Sequence, residues 1–494
     1  MPTIPFASAT QLAALIRRRK LGALDALDAY LARLESHNPR INAVIVTRIE
    51  AARKEARAID RALAKGAKLG PLAGVPMTVK ESFNVAGLPT TWGLTEHARK
   101  PVAEDALAVK RLKAAGAVIF GKTNVPVLLA DWQTYNPVYG TTSNPWDVTR
   151  VPGGSSGGAA AALAAGLTGL EMGSDIGASI RDPAHYCGVY GHKPTYGVCS
   201  PQGHALPGSV AAQDISVIGP LARSADDLKL AMGVIAGPDT IDAQGWKLTL
   251  PKARKKALKD FRIGVMLTHP TAEVDASVQG AIEALAKWCA KQKAKVDFKA
   301  RPDFDSAEAH RVFIAMVRAA TSGRQSPEQF ARWSRLAMDR GPKDMSYEAQ
   351  AARGNTLLHK DWLNLNERRH QMRLAWAEFF KSYDVLLCPA AATPAFPHNQ
   401  QGERWERMID VNGKPQPGTT QMFWAGYSGM CYLPSTVAPI GFSKEGLPVG
   451  VQIIGPQYGD ATTIELARLI EAGYRGFVRP DGFEKPDAGQ LGGV

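Results

Sequence analysis

The sequence predicts an α/β fold, and three observations carry that prediction. A strand over 263–266, a helix over 274–292 and a strand over 296–298 set out the strand–helix–strand rhythm of a sheet with helices packed on it. Upstream, a strand over 75–79, a helix over 104–115 and a strand over 117–120 follow the same order. Composition is that of an ordinary globular chain, 45% hydrophobic. No apolar run reaches the ~18 residues that suggest a membrane span, so none is expected. A length of 494 residues, taken alone, suggests about three domains.

The elements follow in order. Ser8 is placed to cap a helix carrying Leu12, Leu15 and Ile16 on one face. A second amphipathic helix carries Leu24, Leu27, Leu31 and Leu34 and is expected to stop by Asn38-Pro39. A strand is read over 41–46, then a charged, mostly exposed helix over 50–65. The strand over 75–79 ends at Lys80. Residues 124–150 read as irregular, with Pro126, Pro137 and Pro145 inside them. Trp132, Gln133 and Tyr135 lie there and either line a pocket or pack the loop. An alanine-rich run ending at Gly166 should be helical. A strand over 215–218 and a helix over 225–236 lead to a polar, basic linker over 237–260. Residues 303–380 read as helical and charged. An apolar strand over 383–388, a proline-rich loop over 389–400 and an aromatic, small-residue stretch over 422–432 follow, the last a candidate pocket wall. A strand over 449–454 and a helix over 461–471 complete the chain, with a loose tail from Gly482.

Cysteine count and charge exclude some classes. Cys187, Cys199, Cys289, Cys388 and Cys431 are odd in number and contain no CxxC, which suits free thiols in a reducing compartment. The net charge is +13, but the basic residues are dispersed. Their densest run (Lys252, Arg254, Lys255, Lys256, Lys259) has no interleaved aromatics and reads as a solvated linker or helix face, not a nucleic-acid site. At the N-terminus, Arg17, Arg18, Arg19 and Lys20 follow the apolar part, whereas a secretory signal has its charges first. This reads as a mature cytoplasmic start.

The chemistry concentrates in residues 153–181. Gly153-Gly154-Ser155-Ser156-Gly157-Gly158 is followed by the alanine-rich run and then by Gly173-Ser174-Asp175-Ile176-Gly177-Ala178-Ser179-Ile180-Arg181. Glycines cluster where backbone approaches something closely or adopts unusual dihedrals, and serines inside such turns present hydroxyls. Each cluster alone fits a flexible loop as well as a functional turn. Together, 24 positions apart from Ser155 to Ser179, they resemble the amidase signature family, whose pattern is GGSSGG followed by G-[ST]-D-x-G-G-S-I-R. Gly74-Val75-Pro76-Met77-Thr78-Val79-Lys80 is similar to that family's lysine motif. The resemblance covers about 8–219 and resumes at 383–455. One departure is Ala178, which stands where the family has a second glycine and gives the turn less dihedral freedom.

The resemblance implies one large α/β domain over 1–494, a mixed β-sheet flanked by helices on both faces, with a motif core at about 70–220 and 383–455. The helical segment at about 300–380 lies outside the motifs and is expected to vary the substrate entrance. It further implies a Ser–cis-Ser–Lys triad: Ser179 as nucleophile, Ser155 as the bridging hydroxyl on a cis Gly154–Ser155 peptide, and Lys80 as the base. Backbone N–H groups of Ile176, Gly177, Ala178 and Ser179 would receive the oxyanion, a single donor of this kind being worth ~3–4 kcal/mol. Asp175 and Arg181 would support the turn, and Ser156 and Ser174 would hydrogen-bond within the network. Lysine titrates near ~10.4, so service as a base near neutral pH requires a fall of ~2–3 units. Burial away from carboxylates would supply it. Glu81, the sole acid in 75–82, should point to the other face of the strand. Activity is then a hydrolysis of non-peptide amides, with esters, anilides and carbamates open. No cofactor is expected. No metal is expected either, since the site residues include no ligand cluster. The partner is a small-molecule amide, with neither nucleic acid nor membrane, and the protein is a monomer or homodimer.

Three other readings compete. Within the family, a glutamine-dependent amidotransferase subunit shares the triad and needs partner subunits. Gly116 to Thr123 satisfies GxxxxGK[ST], but the residues between its glycines read as a strand, where a P-loop needs a loop. Gly153-Gly-Ser155-Ser-Gly157 fits the elbow of a Ser-His-Asp hydrolase, yet a poor strand feeds it. His185, His192 and His204 are the available histidines that follow.

Overall fold

Ser8 opens the first helix, Ala9–Arg17, with a reciprocal cap: its Oγ accepts from Gln11 N–H at 3.1 Å and the Gln11 side chain accepts from Ser8 N–H at 3.0 Å. The structure, a computed structural model, describes residues 4–483. Of the tail expected to be loose, all beyond Phe483 lies outside them. The second helix, Ala23–Ile41, runs past Asn38-Pro39, against expectation. Pro39 removes one hydrogen bond in the last turn, and Asn38 Oδ1 compensates by accepting from Ala43 and Val44 N–H, both at 2.9 Å.

Two sheets dominate. In the larger, the spatial order is Lys295–Asp297, Arg262–Val265, Val385–Pro389, Pro448–Ile454, Ser435–Phe442, Tyr190–Lys193, Val217–Ala222 and Glu171–Asp175. The first three strands are parallel and every later pairing is antiparallel, so the sheet is mixed. Val385, Leu386, Leu387 and Cys388 are buried in succession, as both-face coverage demands. Helices cover the two faces. Thr436 Oγ1 donates to Thr463 Oγ1 of the Asp460–Gly473 helix at 2.9 Å. Gln452 pairs with Val437, the next position along, so it faces the opposite side. There its Oε1 accepts from Arg181 of the Arg181–Cys187 helix at 2.8 Å. Among the described residues no helix is long and apolar enough to cross a membrane, and all five cysteines are buried and unpaired.

The smaller sheet orders Val44–Thr47, Val118–Thr123 and Pro76–Lys80. Its last strand lies against the edge strand Glu171–Asp175 of the larger sheet. Thr78 Oγ1 donates to Glu171 Oε1 at 2.5 Å, and Thr78 N–H to Thr168 Oγ1 at 2.9 Å. The wholly buried helix Gly157–Ala164 packs beside this seam. A methyl at Gly158 would sit 2.4 Å from Asn124 N, which is why only glycine fits there.

The segment over 303–380 is helical as read: Ser306–Ser322, Pro327–Arg340, Tyr347–Asn355 and His359–Ser382. Elements hidden from periodicity are Glu171–Asp175, Arg181–Cys187 and Tyr190–Lys193. The second Gly/Ser cluster, read as a turn, begins as the strand Glu171–Asp175, whose polar side chains find partners inside. The Arg181–Cys187 helix tolerates Pro183 because N–H groups in the first turn have no helical acceptor.

Candidate active site

Lys80 ends a strand in which all five residues are buried. Its Nζ lies 2.6 Å from Ser155 Oγ, 2.9 Å from Ser156 Oγ and 3.0 Å from Ser174 Oγ. Burial pushes its pKa from 10.5 down to about 7, against the upward pull of Asp175, Asp182 and Glu171. The expectation of no nearby carboxylate is therefore corrected, and desolvation still wins. Burial also raises Glu171 to about 8 and lifts Asp182 well above its ordinary value. Glu81 faces elsewhere, as read: its carboxylate accepts from Thr91 N–H at 2.5 Å and Trp92 N–H at 3.0 Å.

The two serine clusters are stitched together. The Gly154–Ser155 peptide is cis. Ser156 N–H donates to Ser179 O at 3.1 Å, and Ser156 Oγ lies 3.3 Å from Ser174 O. Asp175 then organises the turn that follows. Its carboxylate accepts from Ala178 and Ile180 N–H, both at 3.0 Å, and from Arg181 Nε at 3.0 Å and Nη2 at 2.8 Å. Burial alone would raise the Asp175 pKa, but the charge and hydrogen bonds of Arg181 hold it below the ordinary value. Arg181 Nη1 also donates to Ala425 O at 2.9 Å and Ser428 Oγ at 3.1 Å, anchoring the turn to the core.

Ala178 adopts φ +80°, the left-handed conformation usual for glycine. Its N–H is already given to Asp175, which removes it from the expected set of oxyanion donors. The N–H groups of Ile176, Gly177 and Ser179 make no hydrogen bond among the described residues, nor does the Ser179 hydroxyl.

Ser155, Ser174, Ser179, Ile176 and Gly177 line a cavity of about 330 Å³, while Lys80 sits behind the serines. Trp132 and Gln133 line it too. Trp132 Nε1 donates to Gly177 O at 2.8 Å, fixing the turn from the cavity side. Gln133 and Asn399 exchange hydrogen bonds of 2.6 and 2.9 Å. Tyr135 does not line the cavity; its hydroxyl is held by Arg407 Nη2 at 3.0 Å, so the loop-packing alternative applies to it. Of the 422–432 stretch only Met422 reaches the wall. Sequence reasoning missed the remaining lining, which includes Trp92, Leu128, Leu129, Phe396 and Ile409, and Val317 to Trp333 in part. These residues carry no motif. The expectation that the 303–380 helices shape the entrance was a signal for Val317 to Trp333 alone.

The decoys resolve. Val118–Thr123 is a strand, and Lys122 is buried with Nζ donating to Pro89 O at 2.5 Å and Thr90 Oγ1 at 3.1 Å, which leaves no phosphate loop. His185 engages the carbonyls of Gly450 and Thr393, and His192 lies 3.1 Å from Asp460 Oδ1. His204 lines the cavity but bonds Ser82 at 2.9 Å, and burial pushes it well below its usual pKa. No histidine bonds Ser155, Ser156 or Ser179 among the described residues, contrary to an elbow-type triad. Nor do three or more His, Cys, Asp or Glu side chains group there to hold a metal ion.

Fold and site together define an enzyme of the amidase class. The family model described as Amidase matches residues 25–464, and the chain belongs to that family. It is 34% identical to a glutamyl-tRNA(Gln) amidotransferase subunit of Moorella thermoacetica, over 94% of this chain and 96% of that protein. It is 32% identical to the indoleacetamide hydrolase of Bradyrhizobium diazoefficiens, over 94% of this chain and 86% of that one. Among solved structures, 6-aminohexanoate cyclic dimer hydrolase complexed with substrate superposes with a TM-score of 0.77 at 25% identity, covering 97% of this chain and 100% of the other.

Proposed function

We propose that this enzyme hydrolyses carbon–nitrogen bonds of non-peptide amides through an acyl-enzyme on Ser179, with Ser155 as proton bridge and Lys80 as base. One observation carries the reading: a buried lysine with a pKa of about 7 lies 2.6 Å from a serine hydroxyl at the cavity wall. Neutral lysine offers two N–H groups and one lone pair, which matches three hydroxyl neighbours if one of them, Ser155, donates. The Ser179 hydroxyl, unbound, turns to Ser155. As Ser179 Oγ attacks the carbonyl carbon, its proton passes to Ser155 and the Ser155 proton to Lys80. The oxyanion meets the N–H groups of Ile176, Gly177 and Ser179. Lys80 returns its proton through Ser155 to the nitrogen, and the C–N bond breaks. Water then attacks the acyl ester and gives a proton through Ser155 to Lys80; that proton returns through Ser155 to Ser179 Oγ as the ester C–O bond breaks, freeing the acid and restoring the Ser179 hydroxyl and neutral Lys80. Asp175, Arg181, Ser156 and Ser174 position the groups that react.

Aryl esters, anilides and carbamates suit the same machinery. Indoleacetamide and a cyclic 6-aminohexanoate dimer, named for relatives above, are small amides of this kind. The likeness to an amidotransferase component favours a second reading, a glutaminase within a larger assembly. A fluorophosphonate followed by peptide mass mapping tests the first. The adduct is expected on the Ser179 peptide, absent in Ser179→Ala and slow to form in Ser155→Ala. An adduct on Ser155 or Ser156 overturns the assignment. Gel filtration and pull-down test the second, which requires a stable heteromeric partner.

A further inference from the structure

Six charged side chains line the cavity: Asp131, Asp175, Arg318, Arg324, Arg404 and Arg407. Asp175 is spent on Arg181 and Asp131 on Arg407 at 2.7 Å. Arg318, Arg324 and Arg404 have no carboxylate within ion-pair distance among the described residues, leaving a surplus of positive charge beside the serines. Their neighbours hold them in place without supplying a carboxylate. Arg318 contacts the Tyr347 hydroxyl, and its Nε is buried with no hydrogen-bond partner. Arg324 lies 4.6 Å from the centre of the Trp92 ring and donates to Gln213 Oε1 at 2.9 Å. Arg404 donates to Ala130 O and Arg324 to Leu128 O, so both are tied to one short segment. Burial and then the like charge of Arg404 lower the Arg318 pKa. Clustered guanidiniums facing a cavity without anions are matched by an anion that enters it.

We infer that the amide this enzyme cleaves carries a carboxylate, seated against Arg318, Arg324 and Arg404 while the amide lies at Ser179. The inference rests on the amidase reading above and narrows its substrate class. A zwitterion such as glutamine is the poorer match, because its ammonium enters the same positive field and both cavity aspartates are already paired.

Two matched pairs of substrates test this: glutaryl against hexanoyl p-nitroanilide, with the charge on the acyl side, and acetyl p-aminobenzoate against acetyl p-toluidide, with the charge on the amine side. In one pair kcat/KM for the anionic member is expected to exceed its neutral partner by about tenfold or more. That ratio should fall with added salt and approach one in Arg324→Gln and Arg404→Gln. Ratios at or below one in both pairs overturn the inference, as does a preference that survives both substitutions. A readout independent of turnover and of variant folding is fluorophosphonate labelling of Ser179 in the wild-type protein. Free glutarate should slow it more than the neutral 1,5-pentanediol of the same length, and equal effects count against the anion seat. Absence of any label on Ser179 instead refutes the acyl-enzyme reading on which the inference rests.

Discussion

Replacing Lys80 by methionine should abolish turnover and, at neutral pH, stabilise the fold. The Lys80 pKa of about 7 against 10.5 in the unfolded chain is a fall of about 3.5 units, or ~5 kcal/mol of unfavourable burial for the charged form. Methionine fills similar space and removes that cost, but forfeits the hydrogen bonds to Ser155, Ser156 and Ser174, ~1 kcal/mol each. The net gain near pH 7 is ~2 kcal/mol. Its pH dependence follows from linkage. Between about 7 and 10.5 the unfolded lysine holds a proton that the folded one lacks, so wild-type stability rises with pH by ~1.4 kcal/mol per unit. Above 10.5 both states are neutral, and below about 7 both are protonated with the cost fully present. The advantage of Lys80→Met should therefore shrink with rising pH and cross zero near pH ~8–9. Urea midpoints of both proteins, from pH 6.5 to 9.5, measure it. An advantage that is absent at pH 7, or that does not shrink on the alkaline side, refutes a neutral buried lysine. In parallel, wild-type kcat/KM on an anilide should rise about tenfold per unit below pH ~7 and level above it.

Other outcomes follow from the turn and its supports. Asp175→Asn leaves Arg181 buried beside a neutral group and should cost ~3–5 kcal/mol, read as a fallen urea midpoint; an unchanged midpoint contradicts the pairing. Trp132→Phe deletes the bond from Nε1 to Gly177 O and should lower kcat about tenfold with little loss of melting temperature; equal kcat would show that the turn holds itself. Ala178→Gly relieves a left-handed alanine worth ~1–2 kcal/mol but adds ~0.5–1 kcal/mol of unfolded-state entropy, so a small rise in midpoint is expected. A clear fall would mean that the Ala178 methyl packs favourably.

Part of the site was legible because its residues lie in three short motifs. The structure places Lys80 Nζ against the hydroxyls of Ser155, Ser156 and Ser174, and Ser8 caps its helix as read. What the sequence obscured has two physical causes. Strands covered on both faces lose polar–apolar alternation, so Glu171–Asp175, with three hydrogen-bonded polar side chains, reads as a turn. Donor availability also depends on who accepts. Nothing in the local sequence distinguishes the Ala178 N–H, taken by Asp175, from that of Gly177. Of the cavity wall, Trp132 and Gln133 were candidates in the sequence, but residues as distant as Trp92, Arg324 and Phe396 converge only through the fold.

The helix Pro327–Arg340 contributes Gln329 and Trp333 to the cavity while burying none of its own residues. Mutational tolerance is therefore distributed very unevenly around one hollow. On the serine side nearly every side chain is locked by core contacts, and a change there risks the whole fold. On this helix, substitutions cost little stability, since surface positions are usually within about ±0.5 kcal/mol of neutral. Selectivity can drift or be redesigned there while the hydrolytic apparatus stays constant. A directed-evolution library confined to this helix should return a high fraction of folded members with altered substrate ranking.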